Sequence, residues 1–357
     1  MFKVIRGILK TLSFIIALGL ALCILAVALT AYFNAPPDKP ASPREEAMRF
    51  DESGALLLGV KSGETAYSVG VRLENAGVIR NRYFWYFISR LGNVYLKAGT
   101  YRLELPASQI AIHSLLVSGE QYLVKITIPE GVTLKKASRI LEAQGICGAE
   151  EFLEASSSRE ILDNYRIPGT TMEGYLYPDT YLFPLDYPAV KVVSAMADNF
   201  FARIAKLESE TAPGKTMSPA GLNERIIIAS IVEREYRVPE EAALMAGVFY
   251  NRLKIGMALQ SCATVEYVIT EVEGKPHPDV IYNRDLEIKD PYNTYFRAGL
   301  PPGPISCPGE TALRAAFNPA PSAYLYFRLV DPLSGRHYFS RTLDDHIRAG
   351  VLFTKGS

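Results

Sequence analysis

The sequence predicts an α+β protein, with one long apolar N-terminal helix followed by mixed strand and helix segments. Three observations carry this prediction. Residues 11–33 hold no charge and are mostly Leu, Ala, Ile and Val. Two strand–turn–helix units repeat along the chain, and the same offset separates Gly63 from Gly131 and Gly77 from Gly145. The run Arg225-Ile-Ile-Ile-Ala-Ser-Ile-Val-Glu233 delivers a carboxylate at the end of an apolar stretch.

As a helix, residues 11–33 would be about 34 Å long, enough to cross a bilayer. Lys3, Arg6 and Lys10 precede it, so the positive-inside rule keeps residues 1–10 in the cytoplasm and places the rest outside the inner leaflet. A cleavable signal peptide is the competing reading, with Ala26-Val-Ala28 as a small-x-small site. The uncharged run exceeds a usual signal core and favours a retained anchor. Residues 34–50 are rich in Pro and charge, lack apolar period and read as a linker.

Globular sequence starts near Phe50. Each repeat copy reads as a strand, a Gly turn, an amphipathic helix begun by Thr65 or Thr133, and a Gly cap. Between them, residues 98–103 predict a strand and Ser108 to Gly119 a capped helix. The segment Gly174-Tyr-Leu-Tyr-Pro-Asp-Thr-Tyr-Leu-Phe-Pro184 predicts a loop and a short strand, and residues 190–208 a helix. Asn223 is placed to cap the glutamate-bearing helix and Pro239 to stop it. Pro239-Glu-Glu241 opens the next helix, with Ala242, Ala246, Phe249, Tyr250 and Leu253 on its apolar face and Gly256 after it. A rigid loop, Gly299-Leu-Pro-Pro-Gly-Pro304, then leads to a short helix over residues 311–317 and a buried strand over residues 324–330.

Lys and Arg together number 38, as do Asp and Glu, so the basic excess of a nucleic-acid binder is missing and no nucleic acid is expected as partner. The chain has 21 Tyr and 16 Phe against one Trp, which suits either core or a cleft for a polar, ring-shaped ligand. The four histidines, His113, His277, His337 and His346, are scattered, and no cysteine spacing matches a metal site; neither metal nor cofactor is expected. Cys23 lies in the apolar helix, leaving Cys147, Cys262 and Cys307 where disulfides can persist.

On a helix, Glu233 lies seven residues after Ile226, four after Ala229 and three after Ser230, which puts it on their face. A carboxyl in apolar surroundings has its pKa raised toward neutrality, as a general acid requires. The same pattern also accommodates a helix-end ion pair with Arg237 at i+4. Both readings stand on the pattern alone.

Taken together, the motifs resemble the MltG or YceG-like family of endolytic murein transglycosylases. The matching segments are Glu173-Gly-Tyr-Leu-Tyr-Pro-Asp-Thr-Tyr181, Ala229-Ser-Ile-Val-Glu-Arg-Glu235, Asn251-Arg-Leu253, Gly256-Met257, Leu259-Gln260 and Thr264-Val265 with Tyr267. They continue through Tyr292-Asn-Thr-Tyr295, Gly299-Leu-Pro-Pro-Gly-Pro-Ile305, Tyr324-Leu-Tyr-Phe327 and His337-Tyr-Phe-Ser340. The resemblance implies an inner-membrane anchor over residues 11–33 and a small LysM-like α/β module over residues 51–124. A mixed α/β transglycosylase domain over residues 125–350, with a glutamate-bearing helical cleft, and a tail over residues 351–357 complete the organisation. It implies cleavage of the MurNAc–GlcNAc β-1,4 bond within nascent peptidoglycan strands, terminating their elongation, and partnership with peptidoglycan synthases. The family's catalytic glutamate falls on Glu233; Glu235 faces another side of the helix and is the weaker candidate.

Where the family reads Asp-Pro before Thr-Val, this chain has Cys262-Ala263, and Cys307 stands where a small polar residue is usual. These two cysteines are candidates for a disulfide, with two free thiols as the alternative. Among the other matching residues, Glu173 and Asp179 suit sugar hydroxyls or developing positive charge, or else caps and turns beside Pro178. Tyr177 and Tyr181 suit stacking on sugar rings, or else the core. Asn251 and Arg252 end a helix, where a cation is favourable anyway. Gln260, Thr264, Tyr292, Asn293 and Tyr295 are expected as cleft wall. Two rivals remain: a non-catalytic wall-binding scaffold, and a glycan hydrolase pairing Glu233 with Glu173 or Asp179.

Overall fold

The computed structural model describes residues 2–39, 41–42, 48–91, 95–211 and 217–354, and the chain divides into two compact units, residues 1–123 and 124–357. Parts of the predicted linker (residues 40 and 43–47) and of the predicted tail (residues 355–357) lie outside the described residues.

The first unit begins with α1 (Phe2–Asn34), of which Ile5–Asn34 is long and apolar enough to cross a membrane, with none of its apolar window buried in the protein. A three-stranded antiparallel sheet follows, in the order β1 (Met48–Phe50), β2 (Leu56–Val60), β3 (Gly99–Leu103), with Met48 opposite Leu58 and Leu58 opposite Tyr101. The end of the segment predicted as linker is thus β1, an edge strand. Helices α2 (Ala66–Asn75), α3 (Arg82–Leu91) and α4 (Gln109–Ser118) pack around a core of Leu56, Leu58, Leu73, Trp85, Tyr101, Ile112 and Leu116. Trp85 sets the α2–α3 distance. Its indole donates to the Ala66 carbonyl at 2.8 Å, and a Cβ on Gly70 would fall 2.6 Å from its Cδ1, so only glycine fits there.

In the second unit, β4 (Leu123–Thr127) pairs with β5 (Thr180–Pro184). Helices α5 (Leu134–Ala143), α6 (Ala149–Ser156) and α7 (Arg159–Asn164) lie between them in sequence, and α8 (Ala189–Thr211) and α9 (Pro219–Glu235) come after. A 3-10 turn at Pro239–Glu241 leads into α10 (Ala242–Lys254); α11 (Cys262–Tyr267) runs on into a π-helical turn, Val268–Val272. Helix α12 (Glu310–Phe317), the antiparallel hairpin β6 (Tyr326–Asp331) and β7 (Arg336–Ser340), and α13 (Leu343–Thr354) complete it. Helix α13 therefore continues into the segment expected as tail. One core contains the buried faces of α5, α8, α9, α10 and α12.

The sequence repeat is real in three dimensions. Thr65 and Thr133 each cap their helix, accepting from the N–H groups of Ser68 and Lys136. Gly63 and Gly131 turn at φ 76° and 72°, and Gly77 and Gly145 close the helices at 70° and 68°. Val78 N–H returns to Leu73 C=O and Ile146 N–H to Leu141 C=O, the same six-residue closure. One expected cap is corrected. Ser218 caps α9, with Pro219 at its first position, while Asn223 lies inside the helix and accepts from the Tyr175 hydroxyl at 2.7 Å.

Candidate active site

Helix α9 runs through the core, with Ile226 to Val232 at most 2 % exposed. Its last turn leaves that core, so Glu233, Arg234 and Glu235 emerge from one apolar rod toward different neighbours. The loop before α12 is stapled alongside. Ser230 Oγ accepts from the Ile305 N–H at 3.0 Å, and Ser306 Oγ donates to the Ser230 carbonyl at 3.1 Å. Gly131 N–H donates to the Cys307 carbonyl at 2.9 Å and Cys307 N–H to that of Val132 at 2.8 Å, which binds the repeat turn to the same loop.

Glu233 sits where these pieces meet. One carboxyl oxygen accepts from the Gly309 N–H at 2.9 Å, and a Cβ on Gly131 would lie 3.5 Å from its Cγ. Burial pushes its pKa up to about 7, the nearby charge of Glu130 adds to the rise, and the Gly309 N–H, Tyr236 and Arg234 oppose it. Among the described residues no ion pair joins Glu233 to Arg237, so the helix-end salt bridge is not formed. A Cβ on Gly309 would come 1.9 Å from the Oε1 of the exposed Glu130, so a side chain at 309 would displace the Glu130 carboxyl. Tyr236, which bonds Glu233, also meets Thr311.

Glu173 is buried at 6 % exposure, and both its oxygens accept from the Leu134 N–H, at 3.2 and 3.1 Å, closing the N-terminus of α5. Burial pushes its pKa up to about 8, with the charge of Glu271 adding to it. Asp179 accepts from Asn199 at 3.0 Å and Arg203 at 3.4 Å, which hold its pKa down against partial burial. Tyr177 is buried beneath the Arg203 guanidinium, 4.9 Å from its ring, and donates to Glu310 at 3.4 Å. Tyr181 donates to the Tyr177 carbonyl at 2.6 Å and stacks on Phe183.

The expected cleft wall divides. Gln260, Arg252, Tyr295 and Cys262 line a cavity of about 310 Å³ with Glu235, not Glu233. The Ser261 hydroxyl donates to Glu235, whose pKa burial raises. Within this wall Arg252 is an internal tie, donating to the Leu325 and Leu259 carbonyls at 2.6 Å each. Asn251 holds the Ser322 and Tyr324 carbonyls at 2.9 and 3.0 Å. Thr264 and Asn293 are fully buried; Thr264 bonds Ser261 and Thr294, and Asn293 bonds the Leu286 and Ile288 carbonyls. Neither presents anything to a glycan, which corrects their expected place on the wall. Tyr292 packs on Tyr267 with ring centres 4.9 Å apart.

The disulfide does not exist either. Cys262 contacts the Tyr295 hydroxyl at 3.2 Å, Cys307 is sealed in the core, and both thiols are free. Glu130, Tyr236, Gly309 and Thr311 escaped the sequence reading as site residues. Glu130 carries no signal in the sequence beyond its place before the Gly131 turn, and nothing in the sequence alone brings residue 309 to Glu233. Among the described residues no group of His, Cys, Asp and Glu side chains could hold a metal ion.

The three raised carboxyls, Glu173, Glu233 and Glu235, make folding pH-dependent. Each binds its proton more tightly folded than unfolded, so stability is fullest below the ordinary value near 4.5 and is lost as pH rises through about 7 for Glu233 and about 8 for Glu173. Chemical denaturation at pH 5 and pH 9 is expected to show a loss on the order of a few kcal/mol at the higher pH. Glu173→Gln is expected to remove part of that slope, and an unchanged slope would refute the assignment.

These features describe an α+β protein with an N-terminal apolar helix and a glutamate held near neutrality at the end of a buried helix. The YceG-like family model matches residues 58–350, and the chain belongs to that family. It is similar to the endolytic murein transglycosylase of Bacillus subtilis (strain 168), 29 % identical over 321 residues that cover 85 % of this chain and 86 % of that protein. The endolytic murein transglycosylase of Streptococcus pneumoniae (strain ATCC BAA-255 / R6) is 30 % identical over 327 residues, 82 % of this chain. The match spans only 57 % of that protein's length. A crystal structure of a putative yceG-like protein from Listeria monocytogenes superposes with a TM-score of 0.55 at 32 % identity, covering 82 % of this chain and 98 % of that one.

Proposed function

We propose that this chain is a membrane-anchored endolytic peptidoglycan transglycosylase in which Glu233 is the acid and base. The carrying observation is the Glu233 carboxyl, pushed up to about 7 by burial and held through one oxygen by the Gly309 N–H. Glu233 gives its proton to the oxygen bridging N-acetylmuramic acid C1 and N-acetylglucosamine, and the C1–O bond breaks. The muramyl C6 hydroxyl then attacks C1 and returns its proton to the Glu233 carboxylate. The products are a 1,6-anhydromuramyl end and a free N-acetylglucosamine hydroxyl, with no water consumed. A pKa near the working pH lets one group serve both steps. The tethered nucleophile brings an effective molarity on the order of 10⁵ M or more. Residues 11–33 anchor the chain, residues 51–124 act as the LysM-like glycan-holding module, and Tyr177 and Asp179 with Glu310 form a polar wall on the Glu233 side. Synthase partnership follows from the same reading.

The adjacent Glu130 carboxylate favours one other reading, a two-carboxylate hydrolase. Digesting purified sacculi with the full-length protein in detergent separates the cases by product mass. Anhydro ends are expected; reducing ends mean the hydrolase, and no soluble products mean a binding protein.

A further inference from the structure

Helix α3 carries its apolar residues on the wrong side for a soluble helix. Trp85 and Ser89 face the core, while Tyr83, Phe87 and Leu91, four residues apart, are 67 %, 56 % and 70 % exposed. Tyr86 and Arg90 flank this stripe, with the guanidinium 5.6 Å from the ring centre. The stripe lies beside the outer end of α1. Phe84 stacks on Phe33 with ring centres 6.2 Å apart, Arg80 covers the Tyr32 ring at 5.0 Å, and its guanidinium holds the Pro36 carbonyl and Asp38. On the other flank Gln109 donates to the Phe33 carbonyl at 2.7 Å, and Asn34 accepts from the N–H of Ile110, itself 44 % exposed. Phe84, the neighbour of Tyr83, thus packs on the last turn of α1, which Gln109 and Ile110 of α4 hold from its other flank.

We propose that α3 lies in the interfacial layer of the membrane that α1 crosses, its Tyr83–Phe87–Leu91 stripe seated at the headgroup–acyl boundary. This rests on the reading of α1 as a retained anchor. Tyr rings and Arg guanidinia with an apolar body and a polar tip favour that layer. A helix with one strongly apolar exposed face and a basic edge binds in the plane of the bilayer. The first unit is therefore held against the lipid surface by two elements, not swung freely on a single span.

The test uses full-length Phe87→Trp, a change at an exposed aromatic position, reconstituted into vesicles of phosphatidylglycerol and phosphatidylethanolamine. Vesicles containing lipid brominated near the headgroup are expected to quench the added emission by roughly half, whereas the buried Trp85 of the parent protein stays largely unquenched. Alkaline carbonate extraction of the same vesicles reports the anchor separately. Protein that resists extraction but shows no quenching at position 87 overturns the proposal and leaves the anchor standing. Protein that is extracted overturns both. Shielding of the introduced indole from acrylamide by added glycan strands, or only at high protein density, without quenching by brominated lipid, would instead assign the stripe to glycan or to a second copy. Phe87→Glu, expected to fold because the position is exposed, should reduce protection of α3 from hydrogen exchange in vesicles but not in detergent.

Discussion

Replacing Glu233 by Gln is expected to reduce release of anhydromuropeptides from sacculi by about 10³-fold, within the range for loss of a general acid. The substitution isolates the proton. Gln has the same length, and its amide oxygen can still accept from the Gly309 N–H that now binds the carboxyl at 2.9 Å. The fold should not suffer, because the variant no longer has to ionise a buried carboxyl; its melting temperature at pH 8 should match or exceed that of the parent. Two comparisons make the result specific. Glu235→Gln alters a group that lines a different cavity and bonds Ser261, so a comparable loss there with Glu233→Gln still active would transfer the role to Glu235. Glu130→Gln removes a charge that raises the Glu233 pKa, so the alkaline limb of kcat/KM should move to lower pH. A purely structural Glu130 would change the amount of folded protein and leave that limb in place.

How the sequence foretold this site depends on the range of each interaction. The repeat turns were legible because Gly63 and Gly131 answer a local demand, a left-handed backbone that other residues adopt only with strain. The apolar run before Glu233 was legible because burial follows helical period. The start of α9 was not: Ser218 followed by Pro219 and Asn223 both carry capping chemistry, and only the packing of Tyr175 on Asn223 decides between them. Polar residues misled most where they tie loops. Thr264, Asn293 and Asn251 match family segments as ligand-facing groups would, yet they satisfy backbone carbonyls and hydroxyls inside the protein. No spacing rule distinguishes a side chain that faces a sugar from one that faces a distant loop. The split of the wall between Glu233 and Glu235 belongs to the same class, since it depends on residues 259–262 and 295 reaching the far side of α9.

The position with the largest expected effect on stability is Gly174, one residue after Glu173. Its φ of 83° already disfavours any side chain by roughly 1–2 kcal/mol. An added Cβ would also fall 2.4 Å from Pro304 Cβ and 3.1 Å from Ile226 Cγ2. Neither neighbour can yield cheaply. Pro304 is a ring in the loop that Ile305 and Ser306 staple to α9, and Ile226 is fully buried in that helix. Overpacking at such a contact adds about 1–3 kcal/mol, so Gly174→Ala should lower unfolding free energy by about 2–5 kcal/mol. The strain acts on the loop that carries Gly309, so the damage should reach chemistry as well as stability. In the folded fraction, Gly174→Ala should lower kcat more than it raises KM, because the Gly309 N–H that steadies Glu233 moves with its loop. Denaturant melts at matched pH, read beside single-turnover rates, give both quantities. A variant within about 0.5 kcal/mol of the parent, the size of an ordinary surface change, would show that this loop is not wedged against α9.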